Sequence, residues 1–320
     1  MDLIYANAKR EDIGVMRDFS FDLAYGEDEN NFALLTNTQN NVCGEGYILY
    51  IEGTEYGGIV DRLQVDTSVK GLTYSGRTWH GVLQNKVLEP DAGEDYLVCN
   101  GEANSVLAVL VARMNLGDLF TADTEDSGIE IRNYRMNRYI GGYDGIRKML
   151  KSAGAKLKIS FRNGFVELAA MPIMDYSQNE EFDSSQIDFV VERNYKPINH
   201  VICLGKGELA ERQVVHLYAD ADGNISEVQT FFGLDEITTT YENANAESLE
   251  ELRQGGIDVL SDAKNADTLE IDLHSANVYD IGDIVGAREN ETGIFVAKPI
   301  SKKIVTIKKN KVTIEYEVGG

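Results

Sequence analysis

Residues 46–90 read GYILYIEGTEYGGIVDRLQVDTSVKGLTYSGRTWHGVLQNKVLEP. Tyr47–Ile51 is an apolar run, Glu52-Gly53 a turn pair, and Gly53–Gly58 opens a second strand. Ile59, Leu63 and Val65 are expected on one side of it, with Arg62, Gln64 and Asp66 on the other. A polar bend at Asp66–Ser68 returns the chain into Val69–Tyr74. Period-2 alternation with turn chemistry between the runs predicts three consecutive strands. A short amphipathic segment closes them. It begins in Ser75-Gly76-Arg77-Thr78-Trp79-His80, which holds the only tryptophan of the chain. Gly53 and Gly76 are read as turn residues. Arg77 and Trp79, two apart in extended chain, are expected to share a face. Trp79 itself is expected in the core or at its rim.

Outward from this stretch the alternation continues. Phe19, Phe21 and Leu23 alternate with Ser20, Asp22 and Ala24 as in a half-buried strand, and Phe32–Leu35 begins another. Residues 1–90 thus hold about six strands and no long helix, which suggests a barrel or a sandwich, and 1–97 is taken as a first β-barrel. Residues 98–180 change period. Val106, Leu107, Leu110, Val111 and Met114 form one helical face, with Asn104 or Ser105 as N-cap and Gly117 as C′. Ile146, Met149, Leu150 and Ala153 form another face, ended by Gly154. Lys156–Phe161 and Phe165–Ala170 flank Asn163-Gly164, a strong hairpin signal. This is an α+β insertion of two helices and a hairpin. Residues 181–235 and 269–320 are strand-rich and read as a second barrel. Their expected strands are Ile187–Glu192, His200–Leu204, Arg212–Tyr218, Leu269–Leu273, Asp283–Ala287, Gly293–Ile300, Lys303–Lys308 and Val312–Val318. Between them, 236–268 is a helical excursion over Ala246–Leu260, weakened or kinked by Gly255-Gly256 at about 1 kcal/mol per glycine. The fold class expected is mainly β with an α+β insertion, built as two β-barrels.

Charge narrows the function. Thirty Lys and Arg against fifty-three Asp and Glu give −23 over 320 residues. Such a surface repels nucleic acid and anionic membranes, and it lacks the basic footprint of a nucleic-acid reader. Six lysines crowd the end of the chain, Lys298, Lys302, Lys303, Lys308, Lys309 and Lys311, and read as a solvated edge guarded by charge. Cys43, Cys99 and Cys203 have no CxxC spacing, which fits a reducing compartment. No membrane span and no export signal are legible, so synthesis in a cytoplasm is expected.

Catalytic signatures are wanting. His80, His200, His216 and His274 make no HxxxH or HxH pair. His200 and Cys203, three apart in a strand, point to opposite faces and cannot form a local dyad. His274 follows Asp272 by two, one same-face acid–base contact with nothing to activate. There is no GxSxG. Gly205-Lys206-Gly207 lacks the spacing and the GK[ST] ending of a phosphate loop. The acidic loop Gly26–Asn31 lacks the ligand spacing of a calcium hand. No carboxylate pair is singled out. No catalytic, cofactor-binding or metal-binding residue is therefore assigned.

Five stretches carry a resemblance: GTEYGGIV (53–60), LTYSGRTWHGVLQNKVLEP (72–90), YDGIRKMLKSAG (143–154), PINHVICLGKGELAERQVVHLYAD (197–220) and YDIGDIVGA (279–287). In this order they resemble the siphophage tail-hub proteins of phages, prophages and tail-like bacteriocins of Gram-positive bacteria. That family is similar in architecture to the baseplate hub of contractile tails. The resemblance implies a non-enzymatic homotrimer in the virion tail, two tube-like barrels per subunit adapting a threefold tip to a sixfold tube. It implies contacts with the distal tail or tail tube protein, the tape-measure protein, and a tail spike or receptor-binding component. DNA would pass through the lumen without specific binding. Some relatives carry C-terminal peptidase or sugar-binding modules. With the chain ending at Gly320 directly after the last strand, such activity is expected to be absent or supplied by another chain. The rival readings are a tail-associated cell-wall hydrolase and a carbohydrate-binding tail-tip adhesin.

Overall fold

The computed structural model describes residues 2–319 apart from 28, 178–180, 186–187, 247, 265–266, 272–277 and 310. The chain forms two units. One comprises Met1–Asp188, Ile271–Arg288 and Ala297–Gly320; the other comprises Phe189–Glu270 and Glu289–Val296.

The first unit opens with strands β1 (Leu3–Ala6), β2 (Asp12–Met16), β3 (Ser20–Tyr25), β4 (Asn31–Asn37), β5 (Ile48–Tyr50), β6 (Gly57–Asp66) and β7 (Gly71–Thr78). Alternation works as read in β3, where Phe21, Leu23 and Tyr25 are buried. It fails in β6 for a local reason. The β6–β7 ladder shifts register between Val60 and Arg62. Asp61 is the extra residue of a β-bulge, and a bulge reverses the side-chain parity of the strand. Val60, opposite Gly76, therefore shares the face of Leu63 and Val65, whereas Ile59, opposite Arg77, lies on the other. Gly76 is not a turn residue. It sits in mid-strand, where a Cβ would lie 1.9 Å from the Ile59 carbonyl oxygen, so only glycine admits the bulged strand.

Helix α1 (Trp79–Gln84) follows, its N-terminus capped by the Thr78 side chain. Trp79 is fully buried and stacks on Phe161, ring centroids 5.4 Å apart. Arg77 does not lie over it but pairs in bidentate fashion with Asp61 at 2.8 Å. Short strands β8 (Val87–Leu88) and β9 (Val98–Glu102) lead into α2 (Ala103–Arg113). Then come β10 (Phe120–Ala122), β11 (Glu130–Arg135), β12 (Ile140–Gly141), α3 (Gly142–Ser152), β13 (Ala155–Arg162), β14 (Phe165–Pro172) and β15 (Glu181–Asp183). The predicted helices and hairpin are present, and Asn163-Gly164 forms the two-residue turn with φ of 53° and 80°. Neither predicted cap of α2 holds. The N-cap is Glu102, whose carboxylate accepts from the N–H groups of Asn104 and Ser105, and the left-handed residue after the helix is Asn115. Gly154 ends α3 as expected, with φ of 70°. One core gathers α1, α2, α3 and the hairpin around Trp79, Leu107, Ile146 and Leu168.

The second unit contains β16 (Phe189–Glu192), β17 (His200–Leu204), β18 (Val214–Ala219), β19 (Ile225–Ser226), β20 (Thr238–Glu242), α4 (Leu249–Lys264) and β21 (Thr268–Ile271). Its four-stranded sheet runs β19-β18-β17-β20. The stretch 236–268 thus adds a strand to this sheet as well as a helix. Of the expected strands Ile187–Glu192 and Leu269–Leu273, residues 187 and 272–273 lie outside the described residues. Helix α4 runs through Gly255-Gly256 without a break. Those glycines are its contact face. A Cβ at Gly256 would lie 2.2 Å from Cys203 Sγ, and one at Gly255 would lie 2.3 Å from the Tyr241 ring.

The chain then gives β22 (Ile284–Arg288), β23 (Phe295–Lys308) and β24 (Lys311–Val318). The two strands expected over 293–308 are one strand of 14 residues. β23 pairs antiparallel with β3, Ile307 opposite Phe21, and with β24. The C-terminal strands thus join the sheet of residues 3–78, although sequence reading grouped them with 181–235. The eleven-stranded sheet follows the path β15-β22-β23-β3-β4-β7-β6-β5-β1-β2, with β24 beside β23. Among the described residues no ladder joins the ends of this path. The mainly β class with its helical insertion stands, while closed barrels are not drawn by the ladders of the single chain. A second core lies on this sheet around Phe21, Leu34, Leu49, Tyr74 and Val305.

Candidate functional site

The predicted lysine-guarded edge is only half exposed. Lys308, Lys309 and Lys311 are in solvent, but Lys298 and Lys303 are buried, Lys303 to 2% exposure. Lys303 shares the strand phase of Val305 and Ile307, so its side chain enters the core side of β23. There its Nζ meets Glu55 Oε1 at 2.6 Å, with Asp280 Oδ1 at 3.9 Å. From β13, Lys156 reaches both oxygens of Asp283 at 2.7 Å and Asp280 at 3.1 Å, and Lys158 reaches Asp280 at 3.0 Å. Asp283 is 1% exposed and also accepts from the N–H groups of Met174 and Asp280. Three lysines thus face three carboxylates. They join β13, β23, the 279–283 loop and the turn before β6.

Paired charge sets the protonation states. Burial works to raise the Glu55 carboxyl, but the charge and hydrogen bond of Lys303 outweigh it and hold it below its ordinary value. Burial opposes ionisation of Asp280 too, and Lys158, Lys156 and Lys303 reverse that. Burial works to lower Lys303, yet Glu55 raises it. His80 behaves oppositely. Burial pushes it down to about 4, further than Glu55 can raise it, so the ring is neutral at pH 7. Its Nε2 faces Glu55 Oε2 at 3.7 Å, and the ring packs against Tyr25 and Tyr143. A general acid of glycosidase type needs a raised carboxyl. Glu55 and Asp280 are both held ionised, and so neither has a proton to give at neutral pH.

Of these groups Glu55, His80, Tyr143, Lys156, Lys158 and Asp280 line a cavity of about 290 Å³. Helix α3 contributes Asp144, Arg147, Lys148 and Lys151 to its lining, Arg147 paired with Glu27 at 2.6 Å, and Leu157, Ile173 and Ile300 add apolar surface. Of the sequence candidates, only His80 contributes to it. The signal that marks Lys303 was present as its phase with Val305 and Ile307. Glu55, Lys156 and Asp280 are brought together by pairings that span more than a hundred residues, for which a single sequence holds no local sign.

The other candidates lie elsewhere. His200 Nδ1 is 2.7 Å from Glu236 and its Nε2 is 2.9 Å from His216 Nδ1, with Tyr218 stacked on the ring at 4.3 Å. The two histidines are thus paired across the β17–β18 ladder, which no local spacing revealed. Cys203 is buried on the opposite face, under Gly256, as the strand argument requires. Gly205-Lys206-Gly207 is the β17–β18 hairpin turn, closed by Gly205 N–H to Gln213 O and Gln213 N–H to Lys206 O. In the 26–31 loop the buried Asn30 side chain bonds Gly26 at both its N–H and its carbonyl. His274 lies outside the described residues. Among the described residues, no group of three or more His, Cys, Asp or Glu is arranged to hold a metal ion.

The fold is similar to that of several tail and prophage tail proteins. A tail protein from Neisseria meningitidis MC58 superposes with a TM-score of 0.55 at 13% identity, over 99% of this chain and 95% of that one. Prophage tail protein gp18 from Listeria monocytogenes EGD-e gives 0.58 at 13%, over 100% and 95%. The 43 kDa tail protein of prophage MuSo2 from Shewanella oneidensis gives 0.58 at 10%, over 99% and 98%. No family model matches the sequence, and no curated protein matches it by sequence. The resemblance read from the five sequence stretches is therefore carried by the fold.

Proposed function

We propose that this chain is the structural hub of a phage tail or tail-like particle, a homotrimer at the tail tip with no catalytic activity of its own. The observation that carries the reading is the agreement of fold with three tail proteins over at least 95% of both chains in each pair. Among the described residues strands β2 and β15 end the path of the large sheet, and in this reading neighbouring subunits complete the rings. In this reading each subunit contributes two tube-like segments, so that three subunits meet a sixfold tube. The distal tail or tail tube protein docks on one side, the tape-measure protein lies within, and a spike or receptor-binding component docks on the other. The charge of −23 per chain suits a lumen along which DNA slides without binding, since binding needs Lys and Arg to release counterions.

The solution mass tests the assembly. Light scattering over a concentration series is expected to give three times the 35.5 kDa of one chain. A strict monomer at the highest concentration, together with no trimeric rings in electron micrographs, would overturn it. Incubation of the pure protein in a gel cast with cell walls is expected to leave no clearing, and a cleared zone would restore the hydrolase reading.

A further inference from the structure

Three large apolar side chains of the second unit project into water around one loop. Tyr195 is 81%, Phe232 66% and Leu234 91% exposed. Two aromatic side chains and a leucine at such exposure amount to roughly 400 Å² of largely apolar surface, the scale at which an exposed patch marks a binding site. The backbone beneath them is held in place. Between β19 and β20 the loop makes a 3₁₀ turn at Gly233–Asp235. The Asn199 side chain donates to the Asp235 carbonyl at 2.7 Å and accepts from the Ile237 N–H at 3.0 Å. Lys196, next to Tyr195, donates to the Leu234 carbonyl at 3.0 Å and to Asp235 Oδ1 at 3.1 Å, which ties the Tyr195 segment to the loop. Thr230 donates to the Ala219 carbonyl at 3.3 Å. A loop clamped in this way has already given up conformational freedom that docking would otherwise cost.

The surroundings are acidic. Residues 220–236 carry Asp220, Asp222, Glu227, Asp235 and Glu236, and neither lysine nor arginine. Lys196 pairs with Asp235 and Arg253 with Glu227, and the carboxylates remain in excess. Apolar side chains held out from an acidic surface specify their counterpart: an apolar recess with positive charge around it. A second copy would bring a charge of −23 to a surface that is already negative. We propose that Tyr195, Phe232 and Leu234 form a preset knob that seats in an apolar pocket with a Lys- and Arg-bearing rim on a different protein. This inference stands independently of the trimeric reading.

The test uses the full-length protein with 13C-labelled leucine methyl groups. The probes are β-cyclodextrins, each an apolar pocket, bearing ammonium, hydroxyl or carboxylate groups at the rim. The Leu234 methyl signals, assigned by their loss in Leu234→Ser, are expected to shift saturably. The ammonium form is expected to bind there at least about fivefold more tightly than the carboxylate form in about 20 mM salt, a preference reduced at about 300 mM. Leu209 is the internal control. It is 95% exposed, but Lys206 and Arg212 stand in sequence beside Glu208 and Glu211, and no such preference is expected there. An equal preference at Leu209 and Leu234, or none at Leu234, overturns the proposal. Phe232→Ser with Leu234→Ser is expected to leave the solution mass of the chain unchanged. A changed mass overturns the proposal, because a second copy is then the occupant. Flotation of the protein with neutral phosphatidylcholine vesicles, lost in the double variant, overturns it in favour of a lipid surface.

Discussion

At the residue scale, Lys303 decides how the C-terminal strand is held. Removing one partner of a buried ion pair leaves the other charge stranded, at about 3–5 kcal/mol. Lys303→Met is expected to lose that much in urea unfolding of the whole chain, and Lys303→Met with Glu55→Leu to recover most of it. The same cluster predicts an acid response in two stages. His80 is neutral in the fold down to about pH 4, whereas an unfolded histidine titrates near 6.5. Between those values the unfolded chain binds the extra proton, so stability falls as pH drops, by on the order of 3 kcal/mol in all. Glu55 and Asp280 are held below their unfolded values. Their contribution is intact above about pH 4 and is lost as pH falls further. His80→Gln is expected to flatten the upper stage of a stability–pH curve and leave the lower one. A curve for His80→Gln that keeps its slope between pH 6.5 and 4 contradicts this assignment. Of this cluster the sequence carried only the phase of Lys303. The carboxylates it meets come from residues 55 and 280, and nothing local names them.

At the element scale, α4 shows packing prevailing over propensity. Alanine favours a helix over glycine by about 1 kcal/mol. A Cβ at Gly256, however, has no room beside Cys203 Sγ at 2.2 Å and Leu217 at 2.8 Å. Gly256→Ala is therefore expected to destabilise the second unit by about 1–3 kcal/mol. Faster amide exchange in β17 and β18, with rates in β3 and β4 unchanged, is the signature to look for. The helices themselves were legible from 3.6-residue periodicity, to within a few residues. Their caps were less so. Glu102 is no favoured N-cap by residue type, but its carboxylate is fixed by Ser127, 25 residues on, as well as by the two helix N–H groups. Burial opposes its ionisation, and these hydrogen bonds hold it at about 2 nonetheless. Glu102→Ala is expected to cost about 1 kcal/mol, as the loss of a cap does, in thermal unfolding at pH 7. Strand alternation was likewise legible except at the Asp61 bulge, where one inserted residue exchanges the faces of everything before it.

At the scale of the whole molecule, strand identity was largely written in the sequence and strand partnership was not. Period 2 states which side chains share a face. It does not state which edge meets which, and proximity along the chain favoured grouping 269–320 with 181–235. Charge acts at this scale as well. Copies carrying −23 each repel one another, and salt screens that repulsion. Self-association in light scattering is therefore expected to strengthen between about 20 and 300 mM salt, where the Debye length falls below 10 Å. Association that weakens over this range would point to interfaces held by ion pairs. The joining of β3 to β23 also fixes an order of events on the ribosome. Asp22 accepts from the Thr306 hydroxyl, 284 residues later. At about 5–20 residues per second, one edge of β3 waits roughly 15–60 s for its partner to be translated. Residues 189–270 of the second unit are translated within that interval, before the strand that closes the first is made.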